Sequence, residues 1–217
     1  MLLQSKFDFG VHQLNQVRRK TAFSRKTALD RRRELIEAGI ACLGKGGMAA
    51  FTIDQICKQA GVSRGLINHH FKTKDELLAC IYADMTEHLL YEPETGDSRR
   101  ILRSIIETSF DESSFNRSNL RAWLSIWGQV ASNETLNELH RERYGTYKAR
   151  IKKALIDVSS ADAGNFDVDA VARQLIALID GLWLEYCLHS DGFALAAAKA
   201  DCYRFLQVHG VDMQVPD

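Results

Sequence analysis

The chain has 217 residues, 28 basic and 28 acidic side chains and 46% hydrophobic residues, enough to bury a sizeable core. With only 2 prolines and few alternating β-branched runs, it is predicted to be all-α. No run of about 18 apolar residues and no apolar leader is present, so we expect a cytoplasmic protein without a membrane span. The 5 cysteines form no C-x-x-C pair, so we expect reduced thiols and neither metal nor cofactor.

The charges are divided unevenly along the chain. Residues 1–75 carry 14 Lys and Arg against 6 Asp and Glu, a net charge of +8, and residues 76–217 carry 14 against 22, a net charge of −8. A basic first third beside an acidic remainder suits a polyanion-binding domain attached to a domain that does not touch nucleic acid. Charge alone does not separate DNA from RNA or from a membrane surface.

The first 26 residues contain basic clusters, Arg18-Arg19-Lys20 and Arg25-Lys26, without helical periodicity. Two interpretations stay open. The segment is either a frayed tail or the result of a start codon placed too early, or it is a basic arm that reaches into a DNA groove.

The next part of the chain predicts short helices at close spacing. A first helix over about residues 27–43 ends at a glycine cluster, residues 44–47. Thr52 caps a second helix that Gly61 stops, and Ser63 caps a third that runs to about residue 71. A capping box over residues 73–76 begins a long fourth helix through residue 90. Two short helices separated by about three residues are typical of a helix-turn-helix motif.

The third predicted helix has an apolar and a polar side. Ile67 and Phe71 fall where they pack inward. Arg64 can offer a bidentate donor pair to guanine, Asn68 can pair with adenine, and Gly65 lets a phosphate approach the backbone. The pattern predicts base reading in the major groove; the alternative is that these polar residues are merely solvated. The residues left on the outer side are Arg64, Gly65, Asn68 and His69.

The run GVSRGLINHHFKTK over residues 61–74 resembles the signature of the TetR family of regulators, Gly-Val-Ser-x-Gly-x-Leu-Tyr-x-Tyr/His-Phe-x-x-Lys. The resemblance implies that Thr52 and Lys74 hold phosphates and that the third helix reads bases. Asn68 stands where the family usually places a DNA-contacting tyrosine, so the operator sequence does not carry over. The predicted DNA-binding residues are Thr52, Ser63, Arg64, Gly65, Asn68, His69, His70 and Lys74.

Beyond a break at Pro93 and Gly96, the pattern predicts five more helices. They cover about residues 97–111, 118–131, 133–157, 167–189 and 193–208. The segments FDE (110–112), RAWLSIW (121–127) and LIDGLWL (178–184) resemble the BetI branch of the family, which represses choline-to-glycine-betaine genes. That resemblance implies a homodimeric repressor with choline as inducer. The alternative is a regulator of another pathway, with a different ligand or none. The predicted domains are an extension (1–26), a DNA-binding domain (27–75) and a ligand-binding and dimerisation domain (76–217).

Three tryptophans are candidates for a ligand wall. Trp123 and Trp127 lie four residues apart on one helical face, and Trp183 belongs to a later helix that can face them. Aromatic faces attract a quaternary ammonium ion, by roughly 2 kcal/mol or more per desolvated ring. The predicted ligand-binding residues are these tryptophans and Asp111; the alternative is that the rings are only core. The candidate counter-charges are Asp111, Asp180 and Glu185.

A single short recognition helix covers few bases, so we expect two copies about 34–36 Å apart, roughly one turn of DNA. The helix over about residues 168–186 has a broad apolar surface that favours a four-helix interface between subunits. Burial within one chain is the alternative. The predicted interface residues are Leu175, Leu178, Ile179, Leu182 and Tyr186. A ligand in the domain of residues 76–217 would shift the fourth helix and change the separation of the two recognition helices.

Two other classes of protein fit the sequence poorly. Residues 39–46 fit G-x-x-x-x-G-K, but Gly46 replaces the Ser or Thr that holds Mg²⁺ and the segment ends a helix, so we predict no enzyme. Adjacent His69 and His70 diverge by about 100° on a helix, too far to share a metal easily. An RNA-binding protein is disfavoured because no aromatic-rich strand is visible.

Overall fold

The computed structural model describes residues 27–90, 97–112, 115–162, 166–189 and 192–213, and within these ranges all regular structure is helical. The predicted all-α fold is confirmed. The contacts divide the chain into two units, residues 1–34 and 35–217. In chain order the helices are α1 (Ala28–Ala50), α2 (Ile53–Ala60), α3 (Arg64–His70), α4 (Lys74–Met85), α5 (Glu87–Leu90), α6 (Ser98–Ser109), α7 (Arg117–Val130), α8 (Glu134–Asp162), α9 (Val168–Leu188) and α10 (Leu195–Val208).

In the first unit, the described residues are 27–34, and they begin α1. The Thr27 hydroxyl donates to the Asp30 carboxylate (2.8 Å) and accepts the Asp30 amide (3.1 Å), which satisfies a free helix N–H. Arg31 and Glu34 form an ion pair one turn apart. The interpretations of residues 1–26 lie outside the described residues.

The second unit contains the predicted turns of the helix-turn-helix motif. Gly46 and Gly47 leave helical geometry, and Gly47 has a positive φ of 63°, so the regular part of α1 ends where the sequence predicted. Thr52 caps α2 by accepting the Gln55 amide at 3.3 Å. Gly61 then ends α2 in the left-handed conformation (φ 66°), and α3 follows three residues later.

The capping box of α4 differs slightly from the predicted one. The Thr73 hydroxyl accepts the Glu76 amide at 3.0 Å as expected, but the Glu76 carboxylate accepts the amide of Lys72 (2.8 Å) instead of that of Thr73. The predicted continuous helix through Leu90 is wrong, because the chain breaks at Thr86 between α4 and α5. The Thr86 hydroxyl donates to the Tyr82 carbonyl at 2.6 Å, a back-bond that bends helices.

The core of the second unit is continuous from α1 to α10. The long helix α8 contacts α4, α5, α6, α7 and α9, so it lies at the centre of the body. Among the largest fully buried side chains are Phe51, Phe71, Tyr82 and Phe110. No described helix combines the length and hydropathy that crossing a bilayer requires.

A close contact joins the end of α1 to the start of α7. A Cβ added at Gly44 would meet the Ser118 carbonyl oxygen at 2.7 Å, so only glycine fits there without a shift. Arg121 of α7 donates to the carbonyl oxygens of Gly44 (3.4 Å) and Lys45 (3.3 Å), which caps the last turn of α1. Helices α2 and α3 share a core with α1, so this contact connects the helix-turn-helix motif to α7.

Candidate functional site

No other residue that the structure describes covers the outer face of α3. Ile67 is 1% exposed and packs inward, whereas His70 is half-buried. The Ser63 hydroxyl makes no capping hydrogen bond. A Cβ added at Gly65 would meet only the Ser63 hydroxyl, at 3.9 Å, so the backbone is open to a large ligand there. The predicted DNA-contacting residues that are exposed on this face are Ser63, Arg64, Gly65, Asn68 and His69.

The two predicted phosphate contacts lie at helix starts. Thr52 precedes α2 and Lys74 is the first residue of α4, and both are exposed. The Lys74 ammonium lies 5.9 Å from the centre of the Phe51 ring, within cation–π range. Helix starts carry free amides and a partial positive charge, which favour an anion.

Sequence reasoning missed an ion pair on this surface. Arg64 Nε and Nη2 donate to Asp54 Oδ1 and Oδ2 at 2.6 and 2.5 Å, so the carboxylate is bound in a bidentate way. The side chains are 68% and 65% exposed, so the pair faces solvent. The separation of ten residues across a turn gives no sequence signal; only the packing of α2 on α3 brings these side chains together.

The body contains a cavity of about 400 Å³, called here the outer cavity. Three of the four predicted ligand-binding residues, Asp111, Trp123 and Trp183, line it, and Trp127 does not. Asp111 and Asp84 are exposed, which places two carboxylates at solvent-facing positions of the wall. The full set of lining residues is Ile40, Asp84, Met85, Thr108, Asp111, Asn119, Trp123 and Trp183.

A smaller cavity of about 30 Å³, the inner cavity, shares the Trp123 and Trp183 walls. The Trp123 ring centre lies 5.5 Å from that of Trp127 and 5.8 Å from that of Trp183, the latter nearly perpendicular. Trp123 and Trp183 are buried and also line cavities, so the core and the ligand-wall interpretations both stay open. The residues around the inner cavity are Leu89, Ser109, Trp123, Trp127, Tyr144, Tyr147, Ile179, Asp180 and Trp183.

The inner cavity holds one carboxylate, that of Asp180. The Tyr144 hydroxyl donates to Asp180 Oδ1 at 3.4 Å. Burial raises the pKa of Asp180 to about 6, with the Tyr144 hydrogen bond acting against the rise. Of the three candidate counter-charges, Asp180 faces the aromatic rings, Asp111 lines the outer cavity, and Glu185 lines neither.

One polar group of the inner cavity lacks a partner and a second is poorly satisfied. The Trp127 indole N–H is buried without a hydrogen-bond partner among the described residues, and the buried Tyr147 hydroxyl makes no hydrogen bond of regular geometry, although the Ser109 side chain interacts with it. By contrast, the Trp183 indole N–H donates to the Ser109 carbonyl at 2.9 Å. An unsatisfied buried polar group costs about 1–3 kcal/mol, so the cavity favours an occupant with a polar atom.

A chain of side chains connects the inner cavity to α4. Tyr82 of α4 is fully buried, and its hydroxyl lies 2.7 Å from His140 Nδ1. Burial lowers the pKa of His140 and raises that of Tyr82, so the neutral phenol donates to the neutral ring. The His140 ring centre lies 4.2 Å from that of Tyr144, which reaches Asp180. Tyr82 also meets Trp123 edge to face at 6.0 Å.

The structure corrects two of the predicted dimerisation residues. Leu175 is fully buried and Ile179 is 5% exposed, both within one chain, because they face the core next to α7 and α8. Leu178, Leu182 and Tyr186 are half-buried and pack against the same core. The large apolar side chains that α9 and α10 expose are Leu184 (44%), Leu188 (64%) and Val208 (79%).

Comparison with known proteins agrees with this organisation. The family model described as bacterial regulatory proteins, tetR family, matches residues 35–81, and the one described as BetI-type transcriptional repressor, C-terminal, matches residues 98–209. The HTH-type transcriptional regulator BetI of Yersinia pestis (strain Pestoides F) is 33% identical over 188 residues, which cover 82% of this chain and 91% of that protein.

Solved structures show the same fold. A transcriptional regulator from Pseudomonas aeruginosa PAO1 is 33% identical, has a TM-score of 0.74, and the match covers 88% of this chain and 96% of that one. A regulator from Saccharomonospora viridis, solved in complex with choline, is 21% identical with a TM-score of 0.70, over 81% of this chain and 95% of that one.

The fold and the family matches define a DNA-binding transcriptional regulator and not an enzyme. The chain belongs to the TetR family, with a C-terminal domain of the BetI type.

Proposed function

We propose that this regulator acts in the cytoplasm as a homodimeric repressor of choline and glycine betaine genes, and that choline releases it from its operator. The observation that carries the proposal is the ring of aromatic side chains around the carboxylate of Asp180. Helix α3 of each subunit reads one half-site, and the exposed face of α3 supports that role. The BetI-type match and the choline complex of the Saccharomonospora viridis regulator are further support.

The inner cavity matches each part of choline. The aromatic faces of Trp123, Trp127 and Trp183 attract a quaternary ammonium, and the Asp180 carboxylate balances its charge. The ligand hydroxyl would accept a hydrogen bond from the unpartnered Trp127 N–H and could bond to the poorly satisfied Tyr147 hydroxyl. Glycine betaine fits less well, because its carboxylate would lie in a buried site beside that of Asp180.

Ligand entry requires these rings to move. A void of about 30 Å³ holds roughly one or two water molecules, so choline enters only if the side chains between the inner and outer cavities shift. Trp123 lines both cavities and touches Tyr82 of α4. Arg143 of α8 donates to the Ala83 carbonyl at the end of α4, at 2.9 Å. Binding would therefore repack this end of α4 and would change the spacing of the two α3 helices.

Isothermal titration and thermal unfolding test the ligand assignment. We compare choline with the dimethylbutanol in which a quaternary carbon replaces the nitrogen, an uncharged molecule of the same shape. Choline is expected to bind and to raise the unfolding temperature with concentration, and the alcohol is expected to bind far more weakly. Asp180→Asn should narrow the difference between the two compounds, because only the cation–π attraction of the rings remains, and Asp111→Asn should keep the full difference.

Each other outcome is informative. Equal binding of choline and the alcohol would mean that no charge is recognised in the inner cavity. A stronger effect of Asp111→Asn than of Asp180→Asn would move the ligand to the outer cavity. Sequence-specific DNA binding without any response to choline would leave a regulator of another pathway.

A further inference from the structure

We propose that Asp54 is a specificity-determining residue for DNA binding, because it positions the guanidinium of Arg64 for a guanine and keeps it from binding phosphates. The inference rests on the proposed role of α3 as the base-reading helix. Asp54 lies in the first turn of α2, and Arg64 is the first residue of α3.

The geometry leaves one edge of the guanidinium available. Asp54 accepts from Nε and Nη2, the side-on edge of Arg64. The guanidinium has five N–H donors, so the end-on edge, formed by Nη1 and the second hydrogen of Nη2, still offers two parallel donors. Guanine presents two acceptors, N7 and O6, at matching spacing in the major groove. Asp54 therefore holds Arg64 in an orientation from which it can bind a guanine without releasing the carboxylate.

The same pair suppresses binding to DNA of any sequence. A free arginine at the start of a recognition helix gains affinity from any nearby phosphate, because its charge displaces counterions. The ion pair of Arg64 and Asp54 has no net charge, so it gains little from a nearby phosphate, and phosphates repel the carboxylate. The exposed pair contributes little to folding stability, so its presence on this face is better explained by DNA binding.

The test begins with the wild-type protein and a randomised duplex library, from which the preferred operator is selected. Fluorescence anisotropy then gives the affinity for that operator and for a random-sequence duplex at several salt concentrations. Asp54→Asn is expected to lower the ratio of operator to random affinity by about tenfold. It should also steepen the dependence of log affinity on log salt for random DNA by about one, because Arg64 becomes free to bind a phosphate.

Two further variants separate this role from a general loss of negative charge. Asp75→Asn removes an exposed carboxylate from the first turn of α4, away from Arg64, so it should raise both affinities alike and leave the ratio unchanged. Arg64→Ala in the Asp54→Asn background should return the salt dependence on random DNA to its wild-type slope, whereas in the wild-type background it should hardly change that slope.

The proposal is overturned if Asp54→Asn changes both affinities by the same factor as Asp75→Asn, or if Arg64→Ala alone weakens random and operator DNA equally. A wild-type protein that selects no sequence from the library would refute the base-reading role of α3 and this inference with it. A wild-type protein that selects a sequence while Asp54→Asn behaves like wild type would refute only the inference.

Discussion

Among single residues, Asp180 has the environment that its sequence context predicts least well. It lies on an apolar helix, and its carboxylate is enclosed by Trp123, Trp127 and Tyr144. Ionising a carboxyl there costs free energy unless a cation is present. Under the proposed function this carboxylate would make the inner cavity selective for a cation, and its ionised form destabilises the ligand-free protein at neutral pH.

This cost predicts a pH-dependent effect of Asp180→Asn on stability. The folded pKa of Asp180, about 6, lies above the usual value, so the folded state binds this proton more tightly and the contribution of Asp180 to stability falls as pH rises from about 4 to above 6. Removing the charge should therefore stabilise the ligand-free protein by about 2 kcal/mol at pH 8 and have little effect at pH 4. Denaturant unfolding at both pH values, with Asp84→Asn as exposed control, measures this. A variant less stable than wild type at pH 8 would contradict the assignment.

Lys74 gives a second prediction at this scale. Its ammonium lies at the start of α4 and is expected to bind a phosphate without reading sequence. Lys74→Ala should weaken operator and random DNA by the same factor and reduce the salt slope by about one. Binding curves at several salt concentrations measure both. A loss confined to the operator would show that Lys74 contacts a base.

The exposed face of α3 could be predicted from the sequence, since Ile67 and Phe71 fix which side faces inward. The partners of the polar residues could not be predicted. Asp54 meets Arg64 across a turn, and Asp180 meets Tyr144 from a different helix, and neither pairing follows a helical repeat. Periodicity specifies a face, whereas an ion pair between elements depends on how the helices pack.

At the scale of helices, the strongest sequence signals were caps and glycines. The end of the regular part of α1 at Gly46 and Gly47 and the turn at Gly61 are where the sequence predicted, because Gly47 and Gly61 have a positive φ that favours glycine. The break at Thr86 was missed, because the local sequence remains helix-forming and the bend depends on a hydroxyl returning to the Tyr82 carbonyl.

The contact between α1 and α7 supplies a prediction at this scale. Gly44→Ala places a methyl group against the Ser118 backbone, which cannot rotate away, and should destabilise the protein by about 1–3 kcal/mol. Gly145→Ala in α8 is the matched control, since a Cβ there meets nothing within 4 Å; it should be neutral or stabilising by up to about 1 kcal/mol. Thermal unfolding of both variants checks this. If they behave alike, the α1–α7 contact is looser than described.

At the scale of the whole molecule, the exposed apolar residues of α9 and α10 suggest how two copies associate. Leu188 and Leu184 lie one turn apart on α9, and Val208 ends α10. Apolar side chains this exposed on two neighbouring helices favour an interface between subunits. Leu175 and Ile179, which the sequence predicted for the interface between subunits, lie on the buried side of α9, since apolar residues occur on both sides of this helix and only burial distinguishes them.

We expect Leu188→Glu to shift the protein to a monomer, because a buried charge destabilises the interface between subunits. It should also weaken operator binding by at least about tenfold, because the two DNA-binding domains of a dimer bind the operator together. Ile156→Glu, an equally apolar exposed position on α8, is the control and should leave the dimer intact. Sedimentation velocity measures the state of each variant. If Leu188→Glu remains a dimer, the interface between subunits lies elsewhere. If the wild-type protein is a monomer, there is no such interface.

We propose that a cation in the inner cavity controls the affinity of the α3 helices for DNA, and a single titration checks this coupling. The regulator is bound to a labelled duplex from upstream of its own gene, and anisotropy is followed as choline or its uncharged carbon isostere is added. We predict that choline releases the DNA, that the isostere does not, and that Asp180→Asn removes the response to choline. Release of the DNA by both compounds, or by neither, would show that a cation in the inner cavity does not control DNA binding.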